Sequence, residues 1–270
     1  MFHRWSIVAL SLFLHLGAAQ SLASALPTEW IYNDGGTHTL SSLPDPTLPL
    51  IVQDGPGGVP TTVNLSSGFV ANKADVYGNS RLNMLAGSRA SSVTSNDASF
   101  VEINANVEIN GFGAAEGSSR WQFNGGWANF FGVGQNATAE FFGGQVSSFW
   151  LNDAGHVITH AGTISTFNIN SGGRMTLRGG TLGGAVGGTS NGTLTVDVYG
   201  NNLQVQSSGS SQATITGNLL EGGSFPPGGF KINLTPPTNV VVTLHNVPEP
   251  AAAWMAIIGC TSLRWLARRR

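Results

Sequence analysis

The chain has 270 residues, of which 10% are charged and 37 are glycine, and its formal net charge is −2. A chain so poor in basic residues offers little attraction to a phosphate backbone, so we expect no nucleic-acid partner. Its one cysteine, Cys260, excludes an intramolecular disulfide, and stability must come from backbone hydrogen bonds and apolar packing.

The N-terminal residues have the features of a secretory signal peptide. A short positively charged start precedes the apolar run Trp5–Leu16, and Ala23–Ala25 forms an A-x-A cleavage site, with Ala18 and Ala19 as a second candidate. The apolar run is short for a membrane span, which disfavours a permanent anchor. We therefore predict a signal peptide at residues 1–25.

Two looser patterns follow the signal peptide. Residues 26–60 are rich in proline and turn residues, which predicts an irregular N-terminal cap. Apolar and polar residues then alternate through Thr61–Asn110, and this alternation is typical of half-buried strands. These predicted strands belong to a longer region, residues 61–196, in which a sequence repeat is clearest at the centre.

The central stretch Gly125–Arg178 consists of three consecutive units of about 18 residues. Equivalent positions of successive units carry similar residues: Gly126, Gly144, Gly162 and Gly180; Phe131, Phe149 and Phe167; Val133, Leu151 and Ile169; Ala128, Val146, Ile164 and Leu182; Ala139, Val157 and Met175; Phe141, Thr159 and Leu177. A repeat of this length is too short for a helical hairpin and fits one coil of a β-solenoid.

In such a coil the apolar columns face inward, and Gly or Asn turns the corners because both tolerate positive φ. We therefore predict an all-β fold, a single-stranded β-solenoid (parallel β-helix) of about 18 residues per coil over residues 61–196. A generic glycine-rich β protein with chance repeats is one alternative. Another is a β-sandwich carbohydrate-binding module, which would consist of antiparallel hairpins.

Short apolar runs separated by turn-rich segments predict a C-terminal β cap at residues 197–246. The last segment, residues 247–270, has three parts in a fixed order. Val247-Pro248-Glu249-Pro250 comes first, then the apolar run Ala251–Leu263, and then a basic cluster that ends in Arg268, Arg269 and Arg270. This arrangement resembles the PEP-CTERM protein-sorting signal of exported bacterial proteins.

The resemblance implies a short transmembrane helix, with arginines at the inner face that stop transfer. It also implies recognition by a membrane-embedded exosortase, cleavage near Pro248–Pro250, and release or attachment at the cell surface. The protein would then be held only transiently in the inner membrane. The resemblance covers about a tenth of the chain and concerns transport alone. An ordinary tail anchor is the alternative.

No catalytic motif is present, and no residues have the spacing of a metal or cofactor site. His156 and His160 are four residues apart, but on strands this spacing does not direct both side chains at one metal ion, and solvent-facing side chains are expected. Glycoside hydrolysis needs a pair of carboxyl groups, whereas Glu140, Asp153 and Asp197 are scattered along the sequence. We therefore expect no enzyme, cofactor or metal.

Aromatic residues concentrate between Trp121 and Phe167. Because Phe149 and Leu151 are predicted to face inward, Trp150 between them must face outward. By the same argument Phe142 and Trp127 are candidates for the surface. An outward aromatic ring on a polar face is a candidate stacking surface for a sugar, and a ring covered by a neighbouring loop is the alternative.

These observations predict an exported protein of the cell surface or extracellular matrix, with a structural or adhesive role and exopolysaccharide as its expected ligand. The alternative is a carbohydrate-active enzyme, a polysaccharide lyase or hydrolase, built on a β-helix. A stacked pair of carboxylates with a nearby base in one groove would favour the enzyme.

Overall fold

The computed structural model describes residues 28–170, 172–187 and 192–247. The predicted signal peptide and the residues of the sorting motif, Pro248, Glu249, Pro250, Arg268, Arg269 and Arg270, lie outside these residues. The described part is 59% strand, and its one helical segment is the short 3₁₀ turn Pro56–Gly58.

The strands, in chain order, are β1 (Trp30–Tyr32), β2 (Thr37–Leu40), β3 (Leu50–Val52), β4 (Thr62–Leu65), β5 (Val70–Val76), β6 (Arg81–Met84), β7 (Arg89–Ser95), β8 (Phe100–Ile103), β9 (Glu108–Ala115), β10 (Arg120–Phe123), β11 (Trp127–Val133), β12 (Thr138–Phe141), β13 (Gln145–Leu151), β14 (His156–Thr159), β15 (Thr163–Ile164), β16 (Phe167–Ile169), β17 (Gly173–Leu177), β18 (Gly180–Leu182), β19 (Ala185–Gly187), β20 (Thr193–Ser207), β21 (Gln212–Leu219), β22 (Gly223–Ser224), β23 (Phe230–Leu234) and β24 (Asn239–Asn246).

These strands form a β-solenoid of about nine coils with a spacing of ~19 residues. A first side is the parallel stack β2, β4, β6, β8, β10, β12, β14, β17, β20 and β24. A second side is the parallel stack β1, β3, β5, β7, β9, β11 and β13. In each later coil two consecutive short strands take the place of one: β15 and β16, then β18 and β19, then β22 and β23. The predicted solenoid is thereby confirmed.

The inward columns match the predicted ones. Phe131 pairs with Phe149 and Phe149 with Phe167, all fully buried. On the first side Ala139, Val157 and Met175 stack in register, and Val196 continues their column. Successive aromatic rings of the core lie 4.5–6.4 Å apart between centroids, so the coils are joined by ring packing as well as by backbone hydrogen bonds.

A glycine column makes the corner that leads into the second side. Gly126, Gly144, Gly162 and Gly180 all have positive φ, between 75° and 95°. A Cβ on Gly144 would lie 2.5 Å from the carbonyl oxygen of Gly125 in the preceding coil. The corner therefore requires glycine both for its backbone conformation and for the close approach of two coils.

Both ends of the described chain join the same sheet. Residues 26–60, expected to form a cap, contribute β1, β2 and β3 in parallel register with the following coils. The expected boundary after residue 196 falls inside β20, whose first half belongs to the solenoid. Its second half forms a hairpin with β21, which pairs antiparallel with β23 and so covers an edge that would otherwise be open.

One polar side chain interrupts an inward column. Thr159 lies between Phe141 and Leu177, is 1% exposed, and its Oγ1 has no hydrogen-bond partner in the described part of the chain. A buried hydroxyl without a partner lowers stability by about 1–3 kcal/mol.

We therefore expect Thr159→Val to raise the free energy of unfolding by about 1 kcal/mol, measured by urea denaturation. Thr138→Val, on the outward face of the neighbouring strand β12, is the control and should change it by less than about 0.5 kcal/mol. A loss of stability in Thr159→Val would show that the hydroxyl is satisfied.

A second prediction concerns the glycine corner. Gly144→Ala should lower the free energy of unfolding by at least about 2 kcal/mol, because alanine is strained at this φ and its Cβ meets a carbonyl oxygen. Gly134→Ala is the matched control: its Cβ would meet only Asn152 Cβ, at 3.8 Å, and its φ is not positive. Equal effects in the same denaturation experiment would contradict the role given to this corner.

Candidate functional site

Three exposed aromatic side chains lie on adjacent coils of the second side. Phe112 on β9 is 46% exposed, Phe130 on β11 is 42% exposed and Trp150 on β13 is 36% exposed. Phe112 pairs in register with Phe130, and Trp150 lies one coil further on, in the neighbouring outward column. We call these three residues the aromatic platform.

Small residues beside the platform keep it continuous. Trp150 pairs in register with Gly132, and Phe130 pairs with Ser148. Gly132 is buried, and a Cβ built on it would lie 3.2 Å from Phe112 Cζ and 3.9 Å from Trp150 Cβ. The ring of Phe112 therefore extends over Gly132 towards Trp150, and a larger residue at 132 would separate the two aromatic side chains.

The surroundings of the platform are polar but uncharged. Ser92 pairs with Phe112, and Asn168 pairs with Trp150 and donates a hydrogen bond to Ser148 Oγ at 2.8 Å. The charged residues nearest along these columns, Lys73 and Asp75, neutralise each other through an Nζ–Oδ2 contact of 2.7 Å. The site thus offers aromatic faces and amide and hydroxyl groups, the groups that bind sugar rings by stacking and hydrogen bonding.

Of the three aromatic residues proposed from the sequence, only Trp150 belongs to the platform. Trp127 is half-buried at the start of β11, between Glu108 and Gln145 in register. Phe142 is exposed after β12, and one face of its ring stacks on the His160 imidazole, with centroids 4.5 Å apart and planes 7° apart. The stacked face of Phe142 is therefore already occupied.

Phe112 and Phe130 were not found by sequence reasoning. The position of Phe130 next to the inward Phe131 could have shown that Phe130 faces outward, because neighbouring residues of a strand face opposite sides of a sheet. Phe112 lies 18 residues before Phe130 and pairs with it in register, so extending the central repeat by one unit towards the N-terminus could have found it.

A second group of chemistry-bearing side chains lies on the first side. His160 Nε2 lies 3.0 Å from Glu140 Oε1, and His160 Nδ1 lies 2.7 Å from Glu221 Oε2. Arg178 Nε donates to Glu221 Oε1 at 2.6 Å, and the guanidinium of Arg120 lies 3.9 Å from Glu140. We call these five residues the charged cluster. Glu221 comes from the turn after β21, so the cluster ties the hairpin to the coils.

A neighbouring group attaches the last strand in the same way. Asp197 on β20 contacts Arg174 at 2.9 Å and His245 of β24 at 3.2 Å. The ring of His245 also stacks on Tyr199, with centroids 4.2 Å apart. These contacts join β17, β20 and β24 on the outer surface, while Met175, Val196 and Val242 join them in the interior.

The electrostatics of both groups follow from these contacts. Burial by itself raises the pKa of Glu221, but hydrogen bonds from Arg178 and His160 outweigh it and hold the pKa below its ordinary value. Burial also opposes ionisation of Asp197, and hydrogen bonds from His245 and Arg174 lower its pKa overall. Burial and the adjacent Arg174 lower the pKa of His156.

These contacts correct one expectation from the sequence. Glu140 and Asp197, which are far apart in the sequence, take part in two separate ion-paired groups, each with an arginine and a histidine. His160, expected to face solvent, has only 19% of its side chain exposed. The predicted columns of Val157 with Met175 and of Thr159 with Leu177 are confirmed on strands β14 and β17, where His156 also pairs in register with Arg174.

Within residues 28–170, 172–187 and 192–247, no group of three or more His, Cys, Asp or Glu side chains is arranged to hold a metal ion. The same residues include no helix with the length and apolarity needed to cross a membrane. No family model, curated protein or solved structure matches this chain. A function must therefore be argued from the platform and the charged cluster themselves.

The lowered pKa of Asp197 makes a pH-dependent prediction. At pH 7, Asp197→Asn should lower the free energy of unfolding by about 2 kcal/mol, because Arg174 and His245 lose a charged partner. The folded-state pKa lies below the unfolded value of about 3.9, so this contribution is present above that value and is lost as pH falls through the folded pKa. The difference between wild type and variant should therefore narrow as pH falls from about 5 to about 2.

Urea denaturation at several pH values measures this difference. Glu29→Gln removes an exposed carboxylate that has no ion pair within the described residues, and it should leave the profile unchanged. A constant difference between wild type and Asp197→Asn at all pH values would contradict the role given to Asp197.

Proposed function

We propose that this protein is a structural or adhesive component of the cell surface or extracellular matrix that binds exopolysaccharide through the aromatic platform. The observation that carries the proposal is the platform itself: three exposed aromatic rings on adjacent coils, Phe112, Phe130 and Trp150, with uncharged polar neighbours. Contiguous exposed aromatic surface on a folded domain marks an interaction site. Trp127 and Phe142 remain candidates for further ligand contacts at the edges of the second and first sides.

The proposal includes export and sorting. Residues 1–25 would direct the chain through the inner membrane, and the segment Val247–Arg270 would hold it there by a short helix until an exosortase processes it. The support is the order of the three parts: Pro248-Glu249-Pro250, the apolar run, and Arg268–Arg270. After processing, the solenoid would be released or attached at the surface.

A second candidate function has one specific observation in its favour. Glu140 and Glu221, distant in sequence, both contact His160, and Arg178 contacts Glu221. A pair of carboxyl groups beside a base is what a polysaccharide hydrolase or lyase needs. However, both imidazole nitrogens and both carboxylates already have partners in the fold, which favours a structural role for the charged cluster.

Retention on the native exopolysaccharide tests the binding proposal. The full-length chain, purified in mild detergent, should be retained by the polymer, and Trp150→Ala should weaken retention at least about tenfold, as expected for an aromatic anchor. Tyr77→Ala is the matched control, because Tyr77 is equally exposed, at 36%, but lies away from the platform in the turn after β5. Equal retention of wild type and Trp150→Ala would contradict the platform.

The same mixtures decide between the two functions. An adhesive protein leaves the number of polymer chain ends unchanged over hours, whereas an enzyme increases it. New chain ends that disappear in Glu140→Gln would establish the enzyme and overturn the adhesive proposal.

A further inference from the structure

We infer that the platform is selective for an uncharged polysaccharide with an extended, flat backbone, a conclusion that rests on the proposed function and specifies its ligand. The inference depends on three properties of the site: the arrangement of the rings, the absence of charge around them, and the shape of the surface beneath them.

The rings form a row that crosses three coils. Phe112 and Phe130 occupy one outward column, and Trp150 occupies the next. Adjacent coils are about 4.8 Å apart, so the row spans roughly 10 Å along the solenoid axis. A row of this length contacts more than one sugar ring of a polymer, so a chain is expected to bind better than a monosaccharide.

None of the described residues that pair in register with the three rings has a charge that would select an acidic sugar. The register partners of the three rings are Ser92, Ser148, Gly132 and Asn168, in addition to one another. Lys73, the nearest cation along the columns, is bound to Asp75. Uronate or sulfate groups would therefore meet no cation among these register partners, on a chain whose described residues contain more acidic than basic side chains.

The surface beneath the rings is a β-sheet face, and the small residue Gly132 allows Phe112 to extend towards Trp150. A polymer with equatorial linkages, whose sugar rings expose flat carbon–hydrogen faces along a straight backbone, can contact all three rings. A helically coiled polymer of the same sugar can contact only one ring at a time.

Native gels that contain defined polymers test this inference with the full-length chain in mild detergent. Hydroxyethyl cellulose is the extended, neutral probe, carboxymethyl cellulose has the same backbone with added charge, and soluble starch has the same sugar in a coiled backbone. We expect retention by hydroxyethyl cellulose to exceed retention by each of the other two at least about tenfold.

Two variants test whether the selectivity depends on the row of aromatic rings. Phe112→Leu keeps an apolar side chain but removes a ring, and Gly132→Val adds a side chain where a Cβ would already lie 3.2 Å from Phe112 Cζ. Each should reduce retention by hydroxyethyl cellulose at least about fivefold. Tyr77→Ala should leave it unchanged, and circular dichroism verifies that each variant is folded.

Several outcomes would overturn the inference. Equal retention by starch would exclude selection for an extended backbone, and stronger retention by carboxymethyl cellulose would exclude selection for a neutral polymer. Binding to the native exopolysaccharide without binding to hydroxyethyl cellulose would refute this inference and leave the proposed function standing, whereas binding to neither would refute both. Self-association that Phe112→Leu abolishes, without retention by any polymer, would assign the platform to a second copy of the chain.

Discussion

The structure depends on one constraint: each strand must pair in parallel and in register with the equivalent strand of the next coil. Backbone groups of one coil are then satisfied by its neighbours, and each inward position becomes a column that must remain apolar along the axis. The aromatic column Phe131, Phe149 and Phe167 shows the result, since rings of successive coils pack on one another. Without a disulfide, these ladders and columns are what hold the described coils together.

The same constraint governs the outer surface, with a different consequence. Outward residues also stack in register, and like charges in one column repel. Burial lowers the pKa of His156, and the charge of Arg174 in the same column lowers this pKa further. The fold compensates by pairing charges between columns, and the charged cluster and the Asp197 contacts are such pairings. On the second side, a row of aromatic residues occupies the surface instead, beside small residues that leave room for the rings.

A solenoid must also close its ends, because a free strand edge invites pairing with other chains. Here β20 leaves the stack halfway along its length and returns as β21, which pairs antiparallel with β23. The charged cluster holds this hairpin to the coils through Glu221. The charged cluster, which could be mistaken for a catalytic site, therefore also has a structural role.

The sequence by itself determined the coil, its inward columns and the outward direction of Trp150. Inward and outward residues alternate along each strand, and the repeat of about 18 residues aligns equivalent strands, so both patterns can be read from the sequence. Phe112 and Phe130 obey the same 18-residue offset, but only the tertiary structure showed that both rings remain exposed and that Phe112 extends towards Trp150. Likewise, only the structure brought Glu221 to His160, a contact that spans 61 residues of sequence. Contacts between outward columns depend on the number of residues in every intervening turn, and the hydrophobic pattern does not record that number.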